Sequence, residues 1–575
     1  MKKRFWAVSL VAVLAASSMV GCGVEYEDGE EKSDVSYLYV NTNQGGFGDG
    51  YLKALEKSFE DEYKDAHFAD GKTGVDLVIA QSDNNANALF SNMANATYNV
   101  HIVEGLYYTE YAANNYVLDL TDVVKSELKD GSGTIESKLF DDQKVALTAT
   151  EDKKYYALPV FAGFNGLTYD AALFENSGFY FADADGAKPF ATSSYTGKAY
   201  TGRGFADKGD KKSCGPDGKY DTYDDGLPST YEEFFYLCDY MVNSSVTPFV
   251  WTGASSHYAN YLFQALLSAN STKTELVSNF TFDSGDEEIE IVESFTNGTP
   301  NIVKKKITTQ NGYEISQSYN KYLALKFLEH LFTQDDYYPA DCVGESLSNT
   351  SAQKLYEESA LNASIQDIAM LIEGNYWYNE AAGELQQSVT EITSSAANRN
   401  FRYMPLPGVE FGTINENKGS SIALCDSMYY YMIVNNNIKN DAEKVSLAKA
   451  FVEFFYRDSS LQTVTTTSGV PCAVKYELTP AQYESMDNYP QSLWDVYDFS
   501  KDNDNYTTAL SANSVFLKNT AKFAFKTTGD FFNSRISDIE RSVPYQAFWY
   551  NDATAETYFT GMRITQNNWS SQYNK

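Results

Sequence analysis

Four aspartates crowd one short stretch. Asp217, Asp221, Asp224 and Asp225 all lie within Gly215-Pro-Asp-Gly-Lys-Tyr-Asp-Thr-Tyr-Asp-Asp-Gly226. Carboxylates at that density, separated by glycines, suit a hard cation taking about six to eight oxygen ligands, calcium first among them. The spacing departs from the helix–loop–helix calcium pattern, which ends on a glutamate. Two readings stand: a structural calcium loop that pins a long insertion, or a solvated acidic turn. No other cofactor is indicated. Nucleophile, zinc and phosphate chemistry have no footing, because the chain contains no G-x-S-x-G, H-E-x-x-H or G-x-x-x-x-G-K-[ST].

The elements that would position a site are legible from Val35 onward. Val35-Ser-Tyr-Leu-Tyr-Val40 is a β-branched and aromatic run that ends in a Gly-rich loop. A helix follows with Leu52, Leu55, Phe59 and Tyr63 on one face, then strands at Val75–Ile79 and Asn99–Val103. Alternation of this kind predicts parallel α/β layers, whose ligand sites lie beyond the carboxyl ends of the strands. The loops after Val40 and Val103 are therefore the first places to look. They supply Gln44 and Phe47 in one, and Glu104, Tyr107 and Tyr108 in the other. Tyr107 and Tyr108 cannot both face a cleft if the segment is regular, so one of them is structural. Residues 181–226 lack periodicity and read as loop. Residues 287–316 read as a solvent-facing β-hairpin around Asn297-Gly298. Helical patterns return at Tyr319–Phe332 and Asp441–Phe455, the latter with Val445, Ala448, Val452 and Phe455 in register.

The N-terminus carries its own chemistry. Lys2, Lys3 and Arg4 precede an apolar run from Phe5 to Val20, and Ser18-Met-Val-Gly-Cys22 closes it. The run is too short to span a bilayer, so residues 1–22 read as a signal segment. The closing residues resemble a bacterial lipobox, with Cys22 the lipidated residue. Residues 23–34 are polar and acidic and read as a flexible tether. The chain of 575 residues holds 78 acidic against 44 basic side chains, a formal charge of −34. That balance repels polyanions and excludes nucleic acid as a partner. With 43% apolar and 15% aromatic residues it is nonetheless a globular composition. Cys214, Cys238, Cys342, Cys425 and Cys472 show no CxxC and read as buried thiols, with one or two disulfides left open.

Several segments, in order, resemble the extracellular solute-binding proteins of ATP-binding-cassette importers, in the carbohydrate-binding branch that includes the maltose-binding proteins. They are the strand, Gly-rich loop and helix from Tyr37 to Tyr63, and Val100-His-Ile-Val-Glu-Gly-Leu-Tyr-Tyr with Val117-Leu-Asp-Leu120. Lys154-Tyr-Tyr-Ala-Leu-Pro159 with Gly166-Leu-Thr-Tyr-Asp170 and Leu173-Phe174 follow, Asp170 standing where asparagine is commoner. Leu227-Pro-Ser-Thr-Tyr-Glu-Glu-Phe234 and Ala369-Met-Leu-Ile-Glu-Gly-Asn-Tyr-Trp377 come next. The Lys444–Phe455 helix and Gly469-Val-Pro471 complete the set. The long loops at 181–226 and 272–318 depart from smaller members of the family.

The resemblance implies an α/β, two-lobed, periplasmic-binding-protein-like fold, a hinged clamp with loop and β-hairpin insertions. One lobe would hold 35–158 plus 405–468, the other 159–404 plus 469–575. It implies capture of a carbohydrate, with delivery to an importer's membrane permease by a lipid-anchored, extracytoplasmic monomer that does no chemistry. Sugar rings stack their C–H faces on aromatic planes, while their hydroxyls need carboxylates and amides. Beside Gln44, Phe47, Glu104, Tyr107 and Tyr108, the matched segments add Asn165, Trp251, Tyr258, Glu373, Trp377 and Tyr378. A secreted glycoside hydrolase and a surface glycan-binding lectin remain alternatives on composition alone.

Overall fold

The computed structural model describes residues 33–43, 46–82, 86–106, 108–183, 186–255, 258–343, 346–359, 362, 364–381, 399–412, 425–426, 430–502 and 544–567. Cys22, Gln44 and Tyr107 lie outside the described residues, as does the tether up to residue 32. Strands are numbered in chain order: β1 Ser36–Asn43, β2 Val75–Ser82, β3 Val100–Glu104, β4 Leu158–Pro159, β5 Gly163–Asp170, β6 Thr247–Val250, β7 Glu288–Thr296, β8 Thr299–Lys306, β9 Ile368–Gly374, β10 Phe401–Met404, β11 Cys425–Asp426 and β12 Tyr430–Val434.

The first sheet has the order β2-β1-β3-β12-β4. Strands β2, β1 and β3 run parallel, and β12 returns antiparallel between β3 and β4. The Gly50–Tyr63 helix buries Tyr51, Leu52, Leu55, Phe59 and Tyr63, the face that the 3.6-residue period predicts. Phe59 meets Phe451 and Phe454 of the Ala442–Phe455 helix edge-on at 5.4 and 5.3 Å. That helix buries Leu447, Ala448, Phe451 and Val452, while Val445, expected in the stripe, stays half-buried.

The second sheet has the order β10-β5-β9-β6, with β11 also paired to β5. Its central strand β9, Ile-Ala-Met-Leu-Ile-Glu-Gly, is buried along its whole length, as an almost unbroken apolar run requires. The alternation predicted parallel pairing, but here only β6 and β9 are parallel. The reason is connectivity, since strands entering from the other lobe run against their neighbours. The chain passes between the lobes through Val160-Phe-Ala162, where Ala473 donates its amide to Val160 O and Ala162 donates to Pro471 O. Two crossing segments thus pair as a short ribbon. Cys425–Asp426 joins the second sheet, although it falls in the span expected for the first lobe.

The insertions are more ordered than their sequence suggested. In 181–226, expected to be loop, Tyr200 stacks on Tyr236 at 3.8 Å and Phe205 on Tyr240 at 4.5 Å. Arg203 grips Glu233 with two hydrogen bonds of 2.9 and 2.7 Å and also donates to Ser213, Cys214 O and Ser229. The β7–β8 hairpin forms as expected, with Asn297 and Gly298 both at positive φ, as its tight turn demands. It is not wholly solvent-facing. Ile289 and Ile291 build a small separate core with Phe282, Ile307, Ile315 and Ile564.

One buried ion pair stands out. Asp170 caps the Ala171–Ser177 helix by accepting from Ala172 N at 3.0 Å, and it also accepts from Asn400 N at 3.1 Å. Its other oxygen lies 2.6 Å from Arg399 Nε, the two side chains being 2% and 3% exposed. Arg399 in turn donates to Tyr356 O and Glu357 O and lies over the Phe401 ring. Cys238, Cys342 and Cys472 are buried free thiols, and burial pushes the last two up to about 12. Among the described residues no helix is long and apolar enough to cross a membrane.

Candidate ligand-binding cleft

Because β1 and β3 are adjacent and parallel, their carboxyl ends share one edge of the sheet. Asn43 ends β1 and Glu104 ends β3, and Asn43 Nδ2 donates to Glu104 Oε2 at 3.0 Å. Strand β12 runs the other way and begins at that same edge, with Tyr430 opposite Glu104. The Tyr430 hydroxyl donates to the same Oε2 at 3.3 Å. Glu104 is thus aimed by two donors from the neighbouring strands. Burial, and then the Glu104 charge, push the Tyr430 hydroxyl well above its ordinary range, so it stays a donor.

The facing wall belongs to the second lobe. Strand β9 ends at Glu373-Gly374, and Glu380 follows on the short helix after it. Gln353 Nε2 lies 3.4 Å from both Glu373 Oε2 and Glu380 Oε2. The lobes meet here: Gly46 N donates to Glu380 Oε1 at 3.1 Å, Asn375 Nδ2 to Ala162 O at 3.0 Å, and Asn379 Nδ2 to Ser468 O at 2.6 Å. Gly46 sits at φ 68°, and a Cβ there would fall 2.6 Å from the Tyr430 hydroxyl oxygen. Gly46→Ala should therefore displace Tyr430 from Glu104. We expect about tenfold weaker ligand binding by calorimetry, with a stability loss of about 1 kcal/mol from the strained backbone. Unchanged affinity would count against Tyr430 as the residue that aims Glu104.

Glu373 is buried, accepting from Gly374 N at 3.1 Å. Burial first, then the charge of Glu380, push its carboxyl well above the ordinary 4.5. The folded protein therefore keeps a proton that the unfolded chain releases. Its stability contribution is present below about pH 4.5 and is lost as pH rises through the raised value. Glu373→Gln should melt higher than the parent at pH 8, by about 1–3 kcal/mol of stability, and lose that advantage by pH 4. Equal melting at both pH values would refute it.

No family model matches the sequence, and no curated protein matches it. Solved structures do. The raffinose complex of the binding protein RafE is 15% identical with a TM-score of 0.51, covering 92% of this chain and 99% of that one. A chitin oligosaccharide binding protein is 16% identical with a TM-score of 0.51, covering 94% and 100%. The mannobiose complex of BlMnBP1, an ABC-transporter binding protein of Bifidobacterium animalis subsp. lactis, is 12% identical with a TM-score of 0.50, covering 94% and 95%. The fold is that of the solute-binding proteins. At these identities the likeness is one of architecture.

Within this fold the expected residues separate into two groups. Glu104 reaches the cleft edge. Asn165 lies on β5 opposite Gly374, at the same end of the second sheet. Tyr258 is largely buried, its hydroxyl bonded to Tyr376 and Asn349 behind the second wall. The aromatic candidates are corrected. Trp251 is 0% exposed, edge-on to Phe332 and Tyr338 at 5.2 and 4.5 Å. Trp377 is also 0% exposed, enclosed by Tyr356, Phe401 and Tyr489. Neither keeps a ring face for a sugar, because each indole completes the apolar layer beneath the second sheet. Phe47 plugs the first lobe against Phe161 and Tyr430 at 4.4 and 5.1 Å. Tyr108 is buried and donates to Ala146 O, the structural role reserved for one of that tyrosine pair. Tyr378 is tied to Asp487 at 2.9 Å.

Asn43, Gln353, Glu380 and Tyr430 were missed. Asn43 was open to the strand-end rule, and Glu380 lies one helical turn beyond Trp377. Tyr430 carries no local signal, since its role depends on β12 pairing with β3.

Proposed function

We propose that this chain captures a carbohydrate between its lobes and delivers it to the membrane permease of an importer, anchored outside the cell through Cys22. The observation that carries the reading is the cleft edge itself. Glu104, oriented by Asn43 and Tyr430, lies close enough to Glu380 of the other lobe for its charge to act on it, and Gln353 is bonded to Glu380 on that wall. Carboxylates and amides set opposite one another accept and donate to hydroxyls, the polar currency of sugars. The half-buried Tyr376 ring packs over Gly374 at the end of the same strand. The raffinose, chitin oligosaccharide and mannobiose named for the matched structures agree with that ligand class. Binding acts by favouring the conformation in which both walls reach the ligand, and no bond is made or broken.

A thermal-shift panel of mono- and oligosaccharides, with product analysis of every hit, tests this reading. One class of sugar should raise the melting temperature and be recovered intact. Cleavage of the hit would replace capture with hydrolysis. A flat response to every sugar would reject the carbohydrate assignment.

A further inference from the structure

The aspartate-rich stretch lies on the second lobe, away from the cleft, and three facts take it out of the class of solvated turns. Asp217 and Asp224 are 3% and 0% exposed. Asp217 Oδ2 is buried and has no hydrogen-bond donor, while Oδ1 accepts from Lys219 N at 2.7 Å. The Asp217 carboxyl also lies within hydrogen-bonding reach of the Asp224 carboxyl, so two acceptors face one another. Asp224 is fixed from both sides, accepting from Asp217 N at 2.8 Å and from the Thr222 hydroxyl at 2.9 Å.

Lys212 and Arg402 are the basic side chains that line a cavity with Thr222 and Asp225. The neighbouring lysines are committed elsewhere: Lys211 lies over the Tyr220 ring, Lys212 pairs with Glu175 at 3.1 Å, and Lys219 lies over the Phe499 ring. Among the described residues none forms a salt bridge with Asp217, Asp221, Asp224 or Asp225. Asp225 adds a further buried oxygen without a donor, Oδ1. The main chain closes tightly on the pair, since a Cβ on Gly215 would fall 2.5 Å from Asp224 Cγ. Facing carboxylates taken out of water repel unless a proton or a cation sits between them.

We propose that this loop binds a calcium ion, with Asp217 and Asp224 as its carboxylate ligands and main-chain oxygens and water completing the shell. Among the described residues no three acidic, imidazole or thiol side chains converge as a cage. With two carboxylate ligands, the remaining positions of an ion taking about six to eight ligands would fall to main-chain oxygens and water. The four-aspartate reading is narrowed, since Asp221 turns its side chain to solvent at φ 61°. The ion would lock 213–226 onto the Arg203–Glu233 fork and so brace the insertion against the Tyr231–Asn243 helix.

The test uses the full chain and the metal alone. Terbium, a calcium substitute excited through nearby tyrosines such as Tyr220 and Tyr223, should give emission that added calcium quenches. Chelation with EGTA should lower the melting temperature by several degrees, and calcium should restore it. Asp217→Asn and Asp224→Asn should each abolish terbium emission and make the melt indifferent to EGTA. Absence of calcium-displaceable terbium emission, or identical melts of the parent chain with EGTA and with calcium, would overturn the proposal. Both of those readouts use the unmutated chain, so they stand even if a variant fails to fold.

Discussion

Asp170→Ala should cost the fold about 3–5 kcal/mol, read as a shift in the urea midpoint of the purified chain. The substitution removes three things together. The Ala171–Ser177 helix loses its cap, Asn400 N loses its acceptor, and Arg399 is left as an uncompensated charge at 3% exposure. The last of these dominates, because the desolvation of Arg399 has already been incurred in folding and its bonds to Tyr356 O and Glu357 O and its ring contacts do not replace the lost carboxylate. Arg399→Ala should be comparably severe for the mirror-image reason. Replacing both partners with apolar residues of similar size, Asp170→Leu with Arg399→Met, should be milder than either single change to alanine. A single-variant cost below about 1 kcal/mol, the range of a surface pair, would sink this account.

The second large effect belongs to the cleft. Glu104→Gln keeps size and shape but replaces a charged acceptor with a neutral one that carries its own donor. Charge-assisted hydrogen bonds contribute about 1.5–3 kcal/mol, so affinity for the sugar found in the panel should fall about 10- to 100-fold by calorimetry. The melting temperature without sugar should change little, because Asn43 and Tyr430 can still bond the amide oxygen. Loss of stability without loss of affinity would return Glu104 to a purely structural role.

How far each of these residues could be foreseen depends on the length scale of its signal. Asp170 stands directly before an apolar helix, so its capping role is local and legible. Its partner Arg399 lies in a different segment, and only the pairing of β5 with β10 brings them together. The place of Glu104 at a strand end was legible because a parallel sheet makes strand ends into sheet edges, a rule that needs only the order of the elements. The Asn297-Gly298 hairpin was legible because its turn requires positive φ at both residues. Trp251 and Trp377 were misread for the opposite reason. Whether a ring is a platform or a plug is decided by what packs on its second face, and those partners, Phe332, Tyr338, Phe401 and Tyr489, are remote in sequence. Neighbouring residues identify an aromatic; they do not say which way it faces.

The hydrogen bond from Gly46 to Glu380 joins a loop of one lobe to a helix of the other. Its donor is a backbone amide, and the hydrogen of such a group exchanges with deuterated solvent only when the bond is broken. On the proposed capture mechanism, separation of the lobes, a movement of the whole molecule, would thereby be written into the isotope content of one position. Deuterium uptake at Gly46 should slow when sugar is added, and its rate then measures how often the clamp opens.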